Sequence, residues 1–534
     1  MSKVVLVAIN AKYVHSSLSV WVIAAGVLKY ARLPHDVRVV EATINQSCAS
    51  VVDAVAVHKP DVIGISTYIW NAGKLSELLG SLRTQLPDTL IVLGGPEASN
   101  NMDYWLKSNA DHVMCGEGEY YFPQFLDMYV KKKHIESFSS SSPSDADYDA
   151  PVDPYTSAYF DALDGRLAYI ETSRGCPYHC TFCLSAGSVV RYFPLDSVKK
   201  QILKLSQSNT KTIKFVDRTF NCNSTRAYEL FEYVIGLDAS CRFHFEVAAD
   251  LFDECVFSLL KTAPPGCIQF EIGLQSFHEP ALKASSRQMD MEKAEQNIRT
   301  LLDMQNIHIH IDLIAGLPFE TSTDFMSSFD RAYSLSAHTL QLGFLKLLHG
   351  CELRTQAEVL GLQYMSEPPY EIVSSPWMSA DDILTLKKAE NALQNTRNKG
   401  RFLSTLDYVL SATGMRPFAL MNSLGTAAPN HGTQLENYAT QVYDFCTSLP
   451  GVDSEALKDY MVFDWLGMVK GKNTPPILKN NDINHRHIAE KAEKMLGRML
   501  RREEIAVLRS GKGVFVDSND RDPVTGLYRV YKCE

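Results

Sequence analysis

The chain has 534 residues, carries a formal net charge of −10 and is 45% hydrophobic. This length predicts about three domains, and the composition excludes a disordered chain. No run of 18 or more apolar residues occurs, so we expect no membrane-spanning helix. Twelve cysteines in a chain without a recognisable export signal indicate a reducing compartment, and we expect a cytoplasmic protein.

Residues 1 to about 130 alternate short apolar strands with stretches of helical spacing. Strand–helix alternation predicts a parallel sheet with helices on both faces. We therefore predict an α/β domain over residues 1–136 that is doubly wound and flavodoxin-like (Rossmann-like). Its predicted strands are Lys3–Ile9, Asp36–Val40, Val62–Ser66, Leu90–Leu93 and His112–Cys115, and its predicted helices include Leu18–Ala31, Ala49–His58 and Leu75–Leu86.

Glycine-bearing turns follow the fourth and fifth predicted strands. They read Gly94-Gly95-Pro96-Glu97 and Gly116-Glu117-Gly118-Glu119. Open parallel sheets bind ligands at the carboxyl ends of their strands, and glycine lets the backbone approach a large ligand closely. The turns alone are a weak signal, because any doubly wound domain can contain them. Serine, proline and aspartate dominate the next stretch, so we predict a linker over residues 137–160.

Three cysteines lie close together in the run Ser173-Arg-Gly-Cys-Pro-Tyr-His-Cys-Thr-Phe-Cys183. Cys176, Cys180 and Cys183 have the spacing C-x3-C-x2-C, and thiolates are natural ligands of iron–sulfur clusters. The alternative is zinc, which usually takes four protein ligands in paired motifs. No partner pair follows here, so the spacing favours a 4Fe–4S cluster with one iron left open.

This motif resembles that of the radical S-adenosylmethionine (SAM) superfamily, in which SAM binds the open iron. A second alternation follows, with predicted strands at Leu167–Thr172, Thr212–Val216, Phe243–Val247, Ile268–Ile272, His308–Leu313 and Leu340–Leu345. The resemblance implies a partial (β/α)6 barrel over residues 161–357, with polar residues at the strand ends around SAM. The predicted SAM-binding residues are Phe182, Asp217, Glu246, Gln275, Ser276 and Asp312.

The N-terminal turns, placed before this motif, resemble the cobalamin-binding domain of one large radical SAM class. That resemblance implies bound cobalamin. The predicted cobalamin-binding residues are Ser66, Thr67, Tyr68, Gly94, Gly95, Pro96, Glu97, Gly116 and Glu117. Methionine-synthase-like domains supply a cobalt-binding histidine from Asp-x-His-x-x-Gly, and residues 10–17 lack this motif. We therefore interpret His15 as a loop histidine, and we expect the loop at residues 67–71 to occupy the lower face.

After residue 357 the pattern becomes mainly helical, which predicts a third domain over residues 358–534. Predicted helices are Asp381–Thr396, Arg401–Ala412, Leu435–Leu449, Ser454–Leu466 and Ile483–Arg502, and short β-like runs are Glu504–Arg509, Gly513–Val516 and Leu527–Tyr531. The run Glu367-Pro-Pro-Tyr-Glu-Ile372 resembles the start of an uncharacterised C-terminal extension in some cobalamin-type members.

The resemblance implies a methyltransferase that acts on an unactivated carbon through a 5′-deoxyadenosyl radical and methylcobalamin. The alternative is a non-methylating radical enzyme that performs rearrangement, cyclisation, sulfur insertion or methylthio transfer on a small metabolite. A third reading is a cobalamin or redox sensor without turnover, against which the intact cysteine motif argues. No catalytic side chain is predicted.

The segment from Lys470 to Lys512 has eleven Lys or Arg against five Asp or Glu. Its net charge of +6 stands in a chain whose remainder is −16, which hints at an anionic partner. We predict a modified tRNA nucleotide as substrate, with contacts from Arg498, Arg501 and Arg502. The alternative is a solvated helix face. Other expectations are a reductant such as flavodoxin or ferredoxin, no membrane partner and a monomer.

Overall fold

In the computed structural model, the described residues are 2–132, 152–430, 432–469, 474–479, 485–509 and 511–533. The chain forms two compact units, which are described separately. The first contains residues 1–247, 285–288 and 345–373, and the second contains residues 248–284, 289–344 and 374–534. Among the described residues, no helix is both long and apolar enough to span a membrane.

The N-terminal part of the first unit is a five-stranded parallel sheet in the order β2-β1-β3-β4-β5, which confirms the flavodoxin-like topology. All five predicted strands form, with ends shifted by at most a few residues. The elements are β1 Ser2–Asn10, α1 Ser19–Tyr30, β2 His35–Thr43, α2 Cys48–Ala56, β3 Val62–Ser66, α3 Ala72–Gln85, β4 Leu90–Gly94, α4 Pro96–Asn100, α5 Met102–Lys107, β5 His112–Met114 and α6 Gly118–Lys132.

Strand β1 shows why helices cover both faces of this sheet. Its side chains alternate between the two faces, and both sets are apolar. Val5, Val7 and Ile9 pack into one buried cluster with residues of α2 and α3. Val4 and Leu6 pack into the other, with residues of α1 and α6. A strand that is apolar on both faces is stable only between two layers of helices.

The first unit continues with α7 Ser157–Leu163, β6 Ala168–Ile170, β7 Ser173–Cys176, β8 Ser188–Tyr192, α8 Leu195–Ser206, β9 Thr212–Phe215, α9 Ser224–Ile235 and β10 Arg242–Val247. Most of the predicted linker lies outside the described residues, and its last residues already belong to α7. Strands β7 and β8 form an antiparallel hairpin that the sequence analysis did not predict. The domain limits proposed from the sequence stay predictions.

The second unit contributes α10 Glu254–Leu260, β11 Ile268–Gln275, α11 Glu279–Ala284, α12 Met291–Asp303, β12 His308–Ala315, α13 Ser322–Ser334 and β13 Thr339–Phe344. Strands β6, β9 and β10 are neighbours in the sheet of the first unit, and β11, β12 and β13 are neighbours in the sheet of the second. The register is parallel for β6–β9, β9–β10, β11–β12 and β12–β13. The six predicted barrel strands are therefore present.

The segment after β13 belongs to the first unit and contains α14 Glu352–Thr355 and β14 Gln363–Tyr364, followed by β15 Ile372–Ser374. The remaining helices lie in the second unit: α15 Ala380–Asn395, α16 Leu403–Thr413, α17 Pro417–Ala427, α18 Leu435–Thr447, α19 Ser454–Met468 and α20 His485–Leu496. Strands β16 Ile505–Val507, β17 Gly513–Arg521 and β18 Tyr528–Cys533 form a small antiparallel sheet that packs against α20. Helix α17 was not predicted.

Candidate active site and cofactor loops

The β7–β8 hairpin carries the three cysteines of the C-x3-C-x2-C motif. Cys176 ends β7, while Cys180 and Cys183 lie in the loop that leads to β8. Gly175 precedes the first cysteine with φ +107°, and a Cβ there would lie 2.3 Å from the Val189 carbonyl oxygen. Only glycine therefore lets the two strands approach this closely beside the cysteine loop.

Each thiol of the motif has a polar neighbour in the first unit. The Arg287 guanidinium donates to Cys180 Sγ at 3.7 Å, and the Ser185 N–H donates to Cys183 Sγ at 3.4 Å. Burial raises the pKa of the Cys183 thiol, Arg218 opposes this rise, and the charges of Cys180 and Cys176 add to it. The three thiols therefore lie within electrostatic range of one another. None of the three forms a disulfide, so this donor set fits a cluster that binds three thiolates.

Asp217 fixes the backbone just before the hairpin. Its carboxylate accepts hydrogen bonds from the Thr172 N–H at 2.9 Å, the Thr172 hydroxyl at 2.7 Å and the Ser173 hydroxyl at 2.5 Å. Burial raises the pKa of Asp217, and these bonds oppose the rise. The contacts give Asp217 a positioning role for the cysteine motif, and its contact with SAM stays a prediction.

Arg174 joins the hairpin to the loop that follows β5. Its guanidinium contacts Glu171 at 2.6 Å, Glu119 at 2.9 Å and Glu117 at 3.0 Å. Arg191, on β8, contacts Glu117 at 2.6 Å. Burial alone would lower the pKa of Arg174, but the three carboxylates raise it. Glu117, predicted to bind cobalamin, thus has two arginine partners.

The loops after β3 and β4 form a cradle at the carboxyl end of the N-terminal sheet. Gly95 has φ +99°, and a Cβ there would lie 2.6 Å from the Thr67 carbonyl oxygen, so the loops touch. A Cβ on Gly94 would meet no atom closer than 3.8 Å, so space lies above this residue. The buried Thr67 hydroxyl has no hydrogen-bond partner among the described residues. Open space beside an unsatisfied hydroxyl fits a large polar ligand such as cobalamin.

Glu97, also in this cradle, is held by the segment that follows β13. The Tyr370 hydroxyl donates to Glu97 Oε1 at 2.7 Å, and the carboxylate is buried. On the same segment, a Cβ on Gly350 would lie 2.3 Å from Asn100 Oδ1. Residues 345–373 therefore pack directly against α4.

The loops after β1 and β3 have partners that the sequence did not reveal. His15 Nδ1 lies 2.6 Å from the Tyr169 hydroxyl, which agrees with a loop histidine. In the loop predicted to occupy the lower face, Tyr68 stacks on Trp70 with ring centroids 4.3 Å apart. Burial raises the pKa of Tyr68, and the charges of Glu171 and Arg218 act on it as well. Tyr68 therefore lies within electrostatic range of residues at the ends of β6 and β9.

In the second unit, two predicted SAM-binding residues follow one another at the end of β11. Gln275 has φ +71°, which is strained for a residue with a side chain, and its Oε1 is buried without a hydrogen-bond partner among the described residues. This combination is typical of a ligand site. Ser276 is instead fully buried, donates to Glu320 and accepts from the His278 N–H at 2.9 Å. Burial raises the pKa of Glu320 to about 8.

Asp312 lies beside two residues that the sequence analysis did not select. Its carboxylate is 3.0 Å from His310 Nε2, and one ligand-capable atom from each of Glu271, His310 and Asp312 lies within 4.8 Å of the others. On β11 and β12 these residues alternate with fully buried neighbours, so they share the opposite face of the sheet. That face is polar, as a surface that binds a polar ligand requires.

The remaining predicted residues are placed as follows. Phe182 and Glu246 are half-buried, Gly116 is exposed, Pro96 starts α4, and buried Ser66 ends β3. In the C-terminal region, Arg498 contacts Glu504 at 3.1 Å and Asp517 at 2.7 Å, whereas Arg501 is exposed. The side chain of Arg502 lies outside the described part of the chain. Arg287 and Thr219 near the cysteines were missed, because distant positions in the sequence give no sign of their proximity.

Family models match three parts of the chain. Residues 4–126 match the B12 binding domain, residues 170–332 match the radical SAM superfamily, and residues 358–510 match a protein family of unknown function, DUF4080. The first two matches contain the glycine cradle and the cysteine hairpin. The chain therefore carries a cobalamin-binding domain followed by a radical SAM domain. The cofactors of the chain are accordingly a 4Fe–4S cluster, SAM and cobalamin.

Curated relatives of this chain are named for different activities. It is 23% identical over 362 residues to the cobalamin-dependent radical SAM methyltransferase TokK of Streptomyces tokunonensis, covering 62% of this chain and 53% of TokK. It is 24% identical over 276 residues to tRNA-2-methylthio-N(6)-dimethylallyladenosine synthase of a Psychrobacter species, covering 48% of this chain and 54% of that one. The chain thus spans about half the length of these relatives.

Solved structures of cobalamin-dependent radical SAM enzymes share its fold. The OxsB structure with aqua-cobalamin and SAM bound gives a TM-score of 0.59 at 13% identity, covering 86% of this chain and 78% of OxsB. The Kitasatospora setae TsrM structure with cobalamin and a 4Fe–4S cluster gives 0.53 at 16% identity, covering 69% of this chain and 79% of TsrM. The similarity to these structures is a similarity of fold.

Proposed function

We propose that this enzyme transfers a methyl group from cobalamin to an unactivated carbon of its substrate. The observation that supports this most directly is the contact of Arg174 and Arg191, on the cysteine hairpin, with Glu117 and Glu119, beside the cobalamin cradle. When bound, the cluster supplies the electron that cleaves SAM, and cobalamin supplies the methyl group.

The side chains of the enzyme have positioning roles in this proposal. Asp217 fixes the start of the hairpin, and Arg287 and the Ser185 N–H donate to thiolates at the cluster. The unsatisfied Thr67 hydroxyl and Gln275 amide oxygen offer hydrogen bonds to cobalamin and SAM, respectively.

The decisive experiment uses anaerobic holoenzyme and SAM with a deuterated methyl group. Methyl transfer should yield 5′-deoxyadenosine and S-adenosylhomocysteine. The product should carry one labelled methyl group in place of one hydrogen. The Cys183→Ala variant is the inactive control. 5′-Deoxyadenosine without S-adenosylhomocysteine, together with an unlabelled product, would replace this proposal by the non-methylating alternative. A product that gains sulfur would indicate sulfur insertion or methylthio transfer.

A modified tRNA nucleotide is the substrate class that we propose to test first. The basic segment supports it, since Lys491, Lys494 and Arg501 are exposed, and some relatives have tRNA-modifying activities in their names. Arg498 adds little free charge, because Glu504 and Asp517 pair with it. We therefore expect Arg501 to contribute more than Arg498.

The tRNA proposal predicts binding that weakens steeply as salt rises, because phosphate contacts release counterions. Arg501→Ala should weaken binding and flatten the salt dependence by about one unit of slope, whereas Arg498→Ala should change it less. Filter binding across a salt series measures both. Binding that is absent or insensitive to salt would favour a small-molecule substrate. A flavodoxin or ferredoxin is the proposed electron donor.

A further inference from the structure

One guanidinium group in the first unit contacts both the cysteine hairpin and the cobalamin cradle. Arg174 is separated from Cys176 by one residue. It contacts Glu171 directly after β6, Glu117 in the loop after β5 and Glu119 in the first turn of α6. Arg191 joins Glu117 to the second strand of the hairpin. Two cations thus bind three carboxylates. Since they share partners, neither the hairpin nor the loop can shift without changing the contacts of the other.

The hairpin end of this network is rigid. Gly175 separates Arg174 from Cys176, and its close approach to the Val189 carbonyl leaves no space for another backbone position. The Ser188 hydroxyl also accepts the Cys176 N–H at 3.0 Å. A displacement of the Cys176 backbone therefore moves Arg174.

The cradle end is rigid as well. A Cβ on Gly26 of α1 would lie 2.3 Å from the Glu119 carbonyl oxygen, so the Glu119 backbone packs directly on that helix. Gly116 has φ +81°, and a Cβ there would lie 2.9 Å from the Tyr121 ring. Burial raises the pKa of Glu119, and Arg174 opposes that rise. The Arg174 guanidinium thus favours the charged form of Glu119.

We propose that Arg174 is a positioning residue that couples the two cofactor sites: the cluster in the hairpin strengthens cobalamin binding, and cobalamin binding alters the surroundings of the cluster. The physical reason is that cluster ligation fixes the hairpin, which fixes both arginines against Glu117 and Glu119. Coupling between binding sites is reciprocal, so each cofactor acts on the other by the same factor. This inference needs the two cofactors but not the proposed methyl transfer.

The test measures the dissociation constant of hydroxocobalamin for full-length enzyme with a reconstituted cluster and without iron. In the wild type we expect the cluster to tighten cobalamin binding at least about fivefold. Arg174→Lys keeps the positive charge but loses the planar fork that holds several carboxylates. In this variant the two dissociation constants should become nearly equal. Equal constants in the wild type, or an undiminished ratio in the variant, would overturn the proposal.

The matched control is Arg331→Lys in the second unit. Arg331 makes a two-pronged contact with Glu295, at 2.8 and 3.0 Å, but has no part in this network. Its variant should keep the wild-type ratio. Loss of the ratio in this control as well would show a general effect of arginine replacement and overturn the specific role of Arg174.

A second measurement covers the case in which Arg174→Lys does not retain its iron. Glu119→Gln leaves the hairpin unchanged and removes one carboxylate from the cradle side. Electron paramagnetic resonance of the reduced cluster, recorded with and without cobalamin, should show a change in the wild type and a smaller change in Glu119→Gln. An equal change in both proteins would refute the coupling, whatever the activity of the enzyme.

Discussion

The two units stabilise carboxyl groups in opposite ways. In the first unit, Glu117, Glu119 and Glu171 surround Arg174 and form direct ion pairs. In the second, Glu320 is fully buried, receives a hydrogen bond from Ser276, and has its pKa raised by burial to about 8. The first arrangement pairs its carboxylates with a cation, and the second keeps its carboxyl protonated at neutral pH.

This difference follows from the position of each group, since the first lies between two cofactor loops and the second lies near the end of a strand. An ion-pair network has directional contacts, and it breaks when one partner moves, so it suits a junction between cofactor loops. A protonated carboxyl among hydroxyl groups needs no counter-ion and suits a fixed strand end. Variants can test whether these roles are as distinct as the contacts indicate.

The largest effect should come from the cysteines of the first unit. The combined substitution Cys176→Ala, Cys180→Ala and Cys183→Ala should abolish the cluster and SAM cleavage, since it removes every thiolate of the motif. Iron analysis after anaerobic reconstitution measures this loss. About four irons per chain in the variant would show that other residues bind the cluster.

Gly94→Val should weaken cobalamin binding at least about tenfold, or ~1.4 kcal/mol. Space above Gly94 accepts a side chain without a clash inside the protein, so a loss would come from the ligand. Spectroscopic titration measures it. Gly73→Ala, a position with no atom within 4 Å of the added Cβ, is the control and should bind normally. Unchanged affinity in Gly94→Val would place cobalamin elsewhere.

Arg174→Gln tests the ion-pair network of the first unit through its effect on the free energy of unfolding. Loss of the cation leaves three carboxylates facing one another, and breaking a buried network of this kind costs about 3–5 kcal/mol. Since Arg174 retains 29% side-chain exposure, we expect about 2–4 kcal/mol. Denaturant unfolding at pH 7 measures the change. The double variant Arg174→Gln with Glu119→Gln should recover part of the loss.

Glu320→Gln tests the arrangement with a neutral carboxyl group. It should raise the stability of the protein at neutral pH, whereas Arg174→Gln should lower it. The folded pKa of about 8 exceeds the ordinary value of 4.5, so the folded state holds a proton that the unfolded chain releases. Wild-type stability should therefore fall as pH rises from about 4.5 to about 8, and the variant should lose this slope. Thermal unfolding across that range measures it, with exposed Glu279→Gln as the control. If the Glu320→Gln variant keeps this pH dependence, Glu320 does not cause it and is already ionised in the folded protein.

The smallest effect is expected for His15→Ala. His15 contacts Tyr169, and residues 10–17 lack the cobalt-ligand motif. The absorption spectrum of bound cobalamin should therefore stay as in the wild type. A marked spectral change would restore histidine as a cobalt ligand and would extend the cofactor contacts of the first unit to the loop after β1.

The sequence predicted the regular elements well, because apolar periodicity depends on the local chain. Val62–Ser66 forms the predicted strand without a shift, and all six barrel strands are present. The β7–β8 hairpin was missed because the exposed run at residues 188–192 lacks a clear apolar pattern. Helix α17 was missed although Pro417 stands at its first turn, a common helix start.

By itself, the sequence determined the order of the domains and the classes of cofactor, since thiolate spacing and glycine-bearing turns are local chemical patterns. Only the tertiary structure decided the partners of these groups. Tyr370 contacts Glu97 across 273 residues of sequence. Arg174 contacts carboxylates in the loop after β5, in α6 and directly after β6. Such contacts depend on how separate elements pack, and a charged side chain gives no sign in the sequence of which opposite charge it will meet.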